Sequence, residues 1–581
     1  MEIRVPMMIQ DAFTSKGKGM RLIETTTIAG EEFFLNGPVT GRVAVLDFDP
    51  ATGLLLHGAV FQPPTAGRKY GEYRIPNSND IYSTDFMQVS VFATVMKTLQ
   101  MFEEADNMGR SLTWSFGAPQ LLVVPRAGEL ANAYYERTSH SLQFFYFPNS
   151  REPNKTVFTS LSRDIVSHET AHAILDGIAP HLYDAVTPQS LALHEAIADL
   201  SALMMAFRSH ELRKTVLDQT GGQITMSTAF NSLAEEFGSA LESGGRSGYL
   251  RNMLNHKTLC PDDKTLDADG KPNRVDRSEP HDLSEVITGA LYSVLVKMHT
   301  SLKKELSMEE GKSEFYVSGK ALYICSERFK RMTLRALDYL TPGEVSFADY
   351  GRAIIACDQA SRPHDSQERS CIVDEFVSRC MVPNQDALKV DTNYAQAALD
   401  GVDLQSLFES DWYAYDFANR HAGFLSIPAG VPFEVEPRLL VRKTPYQSKK
   451  TYEGEAAPVK ELILKVHWSL VEPNRIGAAY PDKRRITVGT TLVIDWETHQ
   501  VRALLTSDRS NRPEEAAELQ RDRDQLLRRL ADDDLLRIGR AALGPDGHEL
   551  RSVIRADAIG GVLKVRSMAK MLHIMGRYSH G

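Results

Sequence analysis

Hydrophobic spacing divides the chain into a strand-rich start, a helical middle and a mixed end. Val43-Ala44-Val45-Leu46-Asp47-Phe48 and residues 54–61 flank the turn residues Asp49-Pro50-Ala51-Thr52-Gly53, which predicts a hairpin. From Thr84, a good N-cap, Phe86, Val89, Phe92, Val95 and Met96 recur at helical spacing and predict a helix through Met101. Residues 121–124 and 144–147 are short apolar runs that read as strands. Apolar residues at 191, 193, 197, 200, 203, 204 and 207 predict a second helix, and mostly helical structure follows from about residue 190. Residues 386–435 show little periodicity and read as a linker wrapped on the surface. Beyond them Leu462, Leu464, Val466 and Trp468 alternate with Glu461, Ile463, Lys465 and His467, a period of two. Residues 486–496 and 501–506 predict a hairpin around Glu497-Thr498-His499-Gln500. Residues 513–538 read as a charged amphipathic helix with Leu519, Leu526, Leu527 and Leu530 on one face, docked on its own sheet. The expected class is α+β, with a β-rich N-terminal region (1–82), a central domain (83–385), a linker (386–435) and an α+β accessory domain (436–581).

The chemistry is concentrated in residues 168–199. His168-Glu169-Thr170-Ala171-His172 places two histidines at i and i+4, on one face of a helix, with a carboxylate beside them. Catalytic zinc takes three protein ligands and keeps one position open, and two imidazoles with one carboxylate form such a set. Glu195, 23 residues after His172, supplies the carboxylate once the chain has turned back. Asp199, one turn further, can accept a hydrogen bond from a ligand imidazole and fix its tautomer. Glu169 is then the base that takes a proton from zinc-bound water as it attacks a carbonyl.

These residues resemble the thermolysin-like gluzincin metallopeptidases, and the resemblance runs in family order over roughly residues 85–385. Residues 165–173 resemble the active-site helix of that family, and residues 195–199 its third-ligand helix. The resemblance implies a thermolysin-like catalytic domain with a β-rich N-terminal lobe and a helical C-terminal lobe. It implies one catalytic zinc on His168, His172 and Glu195. Tyr183, 11 residues after His172, falls where the family keeps an oxyanion-binding tyrosine. Asn132-Ala133-Tyr134-Tyr135 resembles the substrate-binding edge strand, with Asn132 and Ala133 holding the peptide. Leu250-Arg251-Asn252-Met253 resembles the segment whose arginine contacts the substrate carbonyl. Asp276 and His281 match an aspartate–histidine pair that stabilises the transition state, with Asp276 holding His281 protonated. Residues 329–358 are similar to the closing helices of the domain. Two positions depart from the pattern. His194 stands where the family usually has asparagine, which leaves the partner of His172 open. Ala206 stands where calcium-binding members carry an acidic residue; Asp164 is retained, and calcium binding is left open. Ile165 and Leu250 fall at the walls of the pocket after the scissile bond, which favours an apolar residue there.

Composition narrows the partners. A net charge of −10 and a pI near 6.0 give no electrostatic reason to expect nucleic acid or anionic membrane. The expected partner is a peptide or protein substrate, with a regulatory partner conceivable through the C-terminal domain. Residues 1–27 contain no signal-peptide core, and no run of 18 apolar residues occurs. Cys260, Cys325, Cys357, Cys371 and Cys380 form no CxxC pair, and the odd count argues against a full disulfide framework. The expected location is cytoplasmic, although leaderless secretion would leave the same sequence. The leading expectation is a zinc endopeptidase. The alternative is a catalytically silent or restrained scaffold that keeps the fold and holds a peptide. An enzyme acting on amino termini or non-peptide substrates ranks last, because no acidic amino-terminus anchor lies near the edge strand.

Overall fold

The chain is α+β. The computed structural model describes every residue except 78, 151, 153, 227–229, 231, 234–239, 241–250, 268–269, 363–365, 392–393, 395, 444–458, 540–541, 544–548, 551–553, 567 and 570–581. At the start, Ile3–Met8 pairs antiparallel with Ile23–Ile28. Val43–Val45 does not turn back on residues 54–61 as predicted. It pairs in parallel with Leu121–Val124, which pairs in parallel with Ser141–Phe144, and Ala133–Glu136 forms the antiparallel edge. Of the expected hairpin a tight turn and one bridge, Phe48 to Leu55, remain. Leu54 and Leu55 are 68% and 61% exposed, so these apolar residues have no core to hold a strand against.

The helix Thr84–Glu103 lies where predicted, one residue after its cap Ser83. It is buried on nearly every face. Its polar residues are tolerated because Thr94 and Thr98 return their hydroxyls to the carbonyls of Ser90 and Thr94, at 3.0 and 2.9 Å. Against it packs Arg163–Ile178, the helix carrying His168 and His172. Pro180 ends that helix and opens the short helix Pro180–Asp184, and Pro188 opens Pro188–Arg208, which carries Glu195. This last helix is long and apolar enough to cross a membrane by length and composition, yet its apolar window is entirely buried. It is the central core helix, packed between the motif helix and the 31-residue helix Pro280–Glu310. Glu314–Leu334, Phe347–Ser361 and Gln367–Ser378 complete the helical lobe, and a capping box between Ser346 and Asp349 starts the second of them.

Residues 386–435 are not a linker. They form the helices Leu404–Glu409 and Asp411–Arg420 and the strand Phe433–Val435, and Leu404, Leu407, Phe417 and Leu425 are buried in one core with the C-terminal sheet. Their apolar residues are spread over helices too short to show a period. The sheet itself has Val459–Pro473 and Lys483–Asp495 at its centre, in register from Glu461–Asp495 to Pro473–Lys483. Phe433–Val435 and Leu439–Lys443 flank the first of these strands, and Val501–Thr506 and Val562–Arg566 flank the second. The hairpin over residues 486–506 is present as predicted. The helix Pro513–Asp532 docks on this sheet through Leu519, Leu526, Leu527 and Leu530.

Both faces of the sheet are covered. Leu462, Leu464 and Trp468 join the core of the docked helix, whereas Ile463, Val493 and Ala503 join the core of the helical lobe. The seam between sheet and lobe is tight. Gly343 lies so close to the Thr487 carbonyl oxygen that a Cβ would sit 2.2 Å from it, and the Glu344 N–H donates to that carbonyl at 2.8 Å. Tyr339 donates its hydroxyl to Glu461 at 2.9 Å, across the same seam. Cys260 and Cys380 form a disulfide, while Cys325, Cys357 and Cys371 are free thiols. Disulfides persist in oxidising compartments, so this one lends no support to the cytoplasmic expectation.

Candidate metal centre

The motif helix Arg163–Ile178 and the helix Pro188–Arg208 pack side by side, which brings residues 168–172 against residues 194–199. The facing nitrogens of the motif, His168 Nε2 and His172 Nε2, are 3.0 Å apart. Glu195 closes the triangle, with Oε2 3.6 Å from His168 Nε2 and Oε1 3.5 Å from His172 Nε2. All three residues are buried. Tetrahedral zinc with bonds of about 2.0–2.1 Å needs ligand atoms about 3.3 Å apart, which these three spacings approach, each imidazole facing its own oxygen of Glu195. Glu195 Oε1 is buried and, among the described residues, accepts no hydrogen bond, as suits an oxygen whose partner is a cation. The donor set and its spacing therefore fit zinc.

No protein-family model matches this chain, and no curated protein matches it. The reading of the site accordingly rests on its geometry.

Two buried partners orient the imidazoles. Asp199 Oδ1 lies 2.8 Å from His168 Nδ1, the contact expected of it. His194 Nδ1 lies 2.7 Å from His172 Nδ1, with the two rings stacked at 4.7 Å and 15°. His194 thus fills the place left open in the sequence. One nitrogen of the pair donates and the other accepts, so His194 can fix the tautomer of His172 as an amide would. Glu169 is set by the edge strand. The Tyr135 N–H donates to Glu169 Oε2 at 3.0 Å, and a Glu169 oxygen lies within 4.8 Å of a ring nitrogen of His168 and of His172.

The charges are steeply coupled. Burial pushes the Glu169 carboxyl up to about 8, with His168 opposing and Glu195 adding. Burial works against a charge on His168, but hydrogen bonds to Asp199 and Glu195 outweigh it and hold this imidazole at about 10. Burial likewise disfavours ionised Glu195, and His168, His172 and Arg251 overcome it and keep the carboxyl well below the usual range. The cluster is built to hold positive charge.

The remaining residues singled out in the sequence divide. Arg251 reaches the site, but its guanidinium is used by the protein's own acids, Nη1 to Glu195 Oε2 at 2.9 Å and Nη2 to Asp199 Oδ1 at 3.2 Å. Leu250 lies outside the described residues. His281 opens the helix Pro280–Glu310, in electrostatic reach of Glu195 and Arg251. Its partner is not Asp276, which corrects the expected pair. Asp276 accepts from the Ser278 N–H at 2.9 Å and pairs with Arg529 at 2.7 Å. Glu279, the N-cap beside Pro280, takes the role instead, with Oε1 3.1 Å from His281 Nδ1. An acid preceding Pro at a helix start was the available signal. Burial would push His281 down, and the hydrogen bond it donates to the Glu279 carboxylate reverses that and raises it.

Tyr183 is buried beside the site. Its ring meets His194 and Tyr135 edge-on at 6.0 and 5.9 Å, and the Arg137 guanidinium covers it at 4.2 Å. Its hydroxyl oxygen accepts from the Arg137 backbone N–H, which sets the ring against the imidazole that holds His172. Ala133 begins the edge strand and its N–H is taken by Asn132 Oδ1 at 2.9 Å. Asp176, unremarked in the sequence, anchors this strand to the motif helix by accepting from Tyr135 Oη and Arg137 Nε, each at 2.8 Å. It lies four residues beyond His172, on the same side of the helix.

Proposed function

We propose that the chain is a zinc-dependent endopeptidase of the thermolysin-like kind, with zinc on His168, His172 and Glu195 and Glu169 as the base. The observation that carries this reading is the buried convergence of His168 Nε2, His172 Nε2 and the two Glu195 oxygens, with separations of 3.0, 3.5 and 3.6 Å, and Glu169 fixed beside them by the edge strand. A zinc ion there supplies a Lewis acid and lowers the pKa of water toward neutrality. Glu169 takes the proton as water oxygen bonds to the carbonyl carbon, and returns it to the amine as the C–N bond breaks. His281, raised by Glu279, donates to the developing oxyanion, and its side chain, 27% exposed, can reach a bound peptide. Of the two expected oxyanion donors it is the better placed, since Tyr183 is engaged behind His194. In the edge strand Ala133–Glu136 the Ala133 and Tyr135 N–H groups are held by Asn132 and Glu169, so an extended substrate would pair with it through main-chain carbonyls.

The test is digestion of a mixed peptide library by zinc-loaded wild type beside Glu169→Gln, with new termini read by mass spectrometry. Internal cuts made by the wild type and lost in the variant are the expected result. Identical cuts by both proteins, or none by a wild type that holds zinc on the triangle, would sink the reading.

A further inference from the structure

A second cluster of metal-ligating side chains stands where the helical lobe meets the C-terminal sheet. His181 lies on the short helix Pro180–Asp184, two residues before Tyr183. His467 lies on the strand Val459–Pro473, and Glu436 follows the strand Phe433–Val435 that pairs with it, its own N–H donating to the Lys465 carbonyl at 2.9 Å. His181 Nε2 is 3.0 Å from Glu436 Oε1, and the rings of His181 and His467 meet edge-on with centroids 4.6 Å apart. One ligand atom from each of the three lies within 4.8 Å of the other two. Glu434, directly opposite His467 in the register, brings another carboxylate oxygen 3.8 Å from His467 Nε2.

We propose that His181, Glu436 and His467 form a second site for a divalent transition metal, zinc above all, that clips the C-terminal sheet to the segment carrying Tyr183. Two imidazole nitrogens and a carboxylate oxygen suit zinc and its neighbours, whereas calcium and magnesium take oxygen ligands. The side chains of His181, Glu436 and His467 are 28%, 21% and 16% exposed, open enough for an ion to enter and keep a water. His181 and Glu436 are already in contact at 3.0 Å, and all three ligand atoms fall within 4.8 Å of one another. The three ligands come from two lobes far apart in sequence, so an ion here adds a cross-link that the unfolded chain lacks and stabilises the junction by mass action.

The experiment counts metal on the full-length protein, stripped with a chelator, reloaded with zinc chloride alone and washed. Wild type is expected to hold two zinc ions per chain, and His181→Ala with His467→Ala one. His168→Ala with His172→Ala is also expected to hold one, and added zinc should raise its melting temperature. Glu436→Gln, which keeps size and shape, should weaken this remaining site and blunt that rise, which separates lost ligation from misfolding. If the count is the same with and without His181 and His467, or zinc leaves the melting temperature of the motif-deleted protein unchanged, the second site is overturned. Failure of the motif site alone would read differently, as one zinc in wild type that the His181 and His467 substitutions remove.

Discussion

Orientation of His172 by His194 makes a demand that a single substitution can test. An imidazole at 194 can accept the His172 Nδ1 proton, alanine cannot, and asparagine can do so through its side-chain oxygen. Removing a partner of a metal-bound imidazole costs about 10–100-fold in metal affinity. His194→Ala is therefore expected to weaken zinc binding on that scale, and His194→Asn to recover most of it, read by competition with a chromogenic chelator; equal affinities for the two variants would refute the role. A second residue, on the helix Pro280–Glu310, sets a pH limit on stability. His299 is buried there, with Nε2 3.2 Å from the Ser318 carbonyl oxygen, and burial pushes it down from 6.5 to about 4. The unfolded chain takes up this proton below pH 6.5 while the folded protein refuses it until about 4, so its stabilisation is full above 6.5 and lost as pH falls. At ~1.4 kcal/mol per unit the loss amounts to about 3 kcal/mol. His299→Gln should flatten the fall in urea midpoint between pH 6.5 and 4 relative to wild type, and parallel curves would contradict it. At this scale the sequence was most legible where contacts are local. His168, Glu169 and His172 share one helix, and Glu195 and Asp199 share its neighbour, so their spacing exposed them. The partner of His281 was misread because Asp276 and Glu279 are both near in sequence, and the cap geometry at Pro280 decides between them.

Elements were legible where their periodicity was long. The helices Thr84–Glu103, Pro188–Arg208 and Pro513–Asp532 each run for 20 residues or more and stand where their spacing put them, except that the last ends at Asp532 rather than at 538. Short elements were legible as strands but not in their pairing: Leu121–Val124 stands where its apolar run put it, whereas the partner of the three-residue Val43–Val45 is set by a strand some 75 residues away. Charge is as poor a guide to exposure. Within the basic run Lys483-Arg484-Arg485, Arg484 is 1% exposed and pairs with Glu472 at 2.5 Å and Asp524 at 2.6 Å, joining the docked helix to its sheet. The loop after Tyr339 gives this scale its test. Gly343 has φ +88°, a left-handed conformation that penalises side chains, and faces the Thr487 carbonyl besides. Gly343→Ala should lower stability by at least about 3 kcal/mol in urea denaturation, while Gly117→Ala, which meets nothing within 4 Å, should change it little. Equal effects at the two positions would mean that the seam yields.

For the whole molecule, the boundary expected near residue 436 does not separate two independent bodies. The strand face carrying Glu461, Ile463 and Lys465 is buried, because the helical lobe covers it and uses its polar groups. Sequence alone could not distinguish a face turned to water from one turned to a distant partner, since both are written in the same alternation. The disulfide between Cys260 and Cys380 spans 120 positions of this shared body. The enclosed loop holds His281, the long helix and the glycine seam. A single cut within that loop, by any protease, would leave two fragments joined by one covalent bond. They would migrate together on a non-reducing gel and part on a reducing one, so an apparently intact band would be no guarantee of an uncut chain.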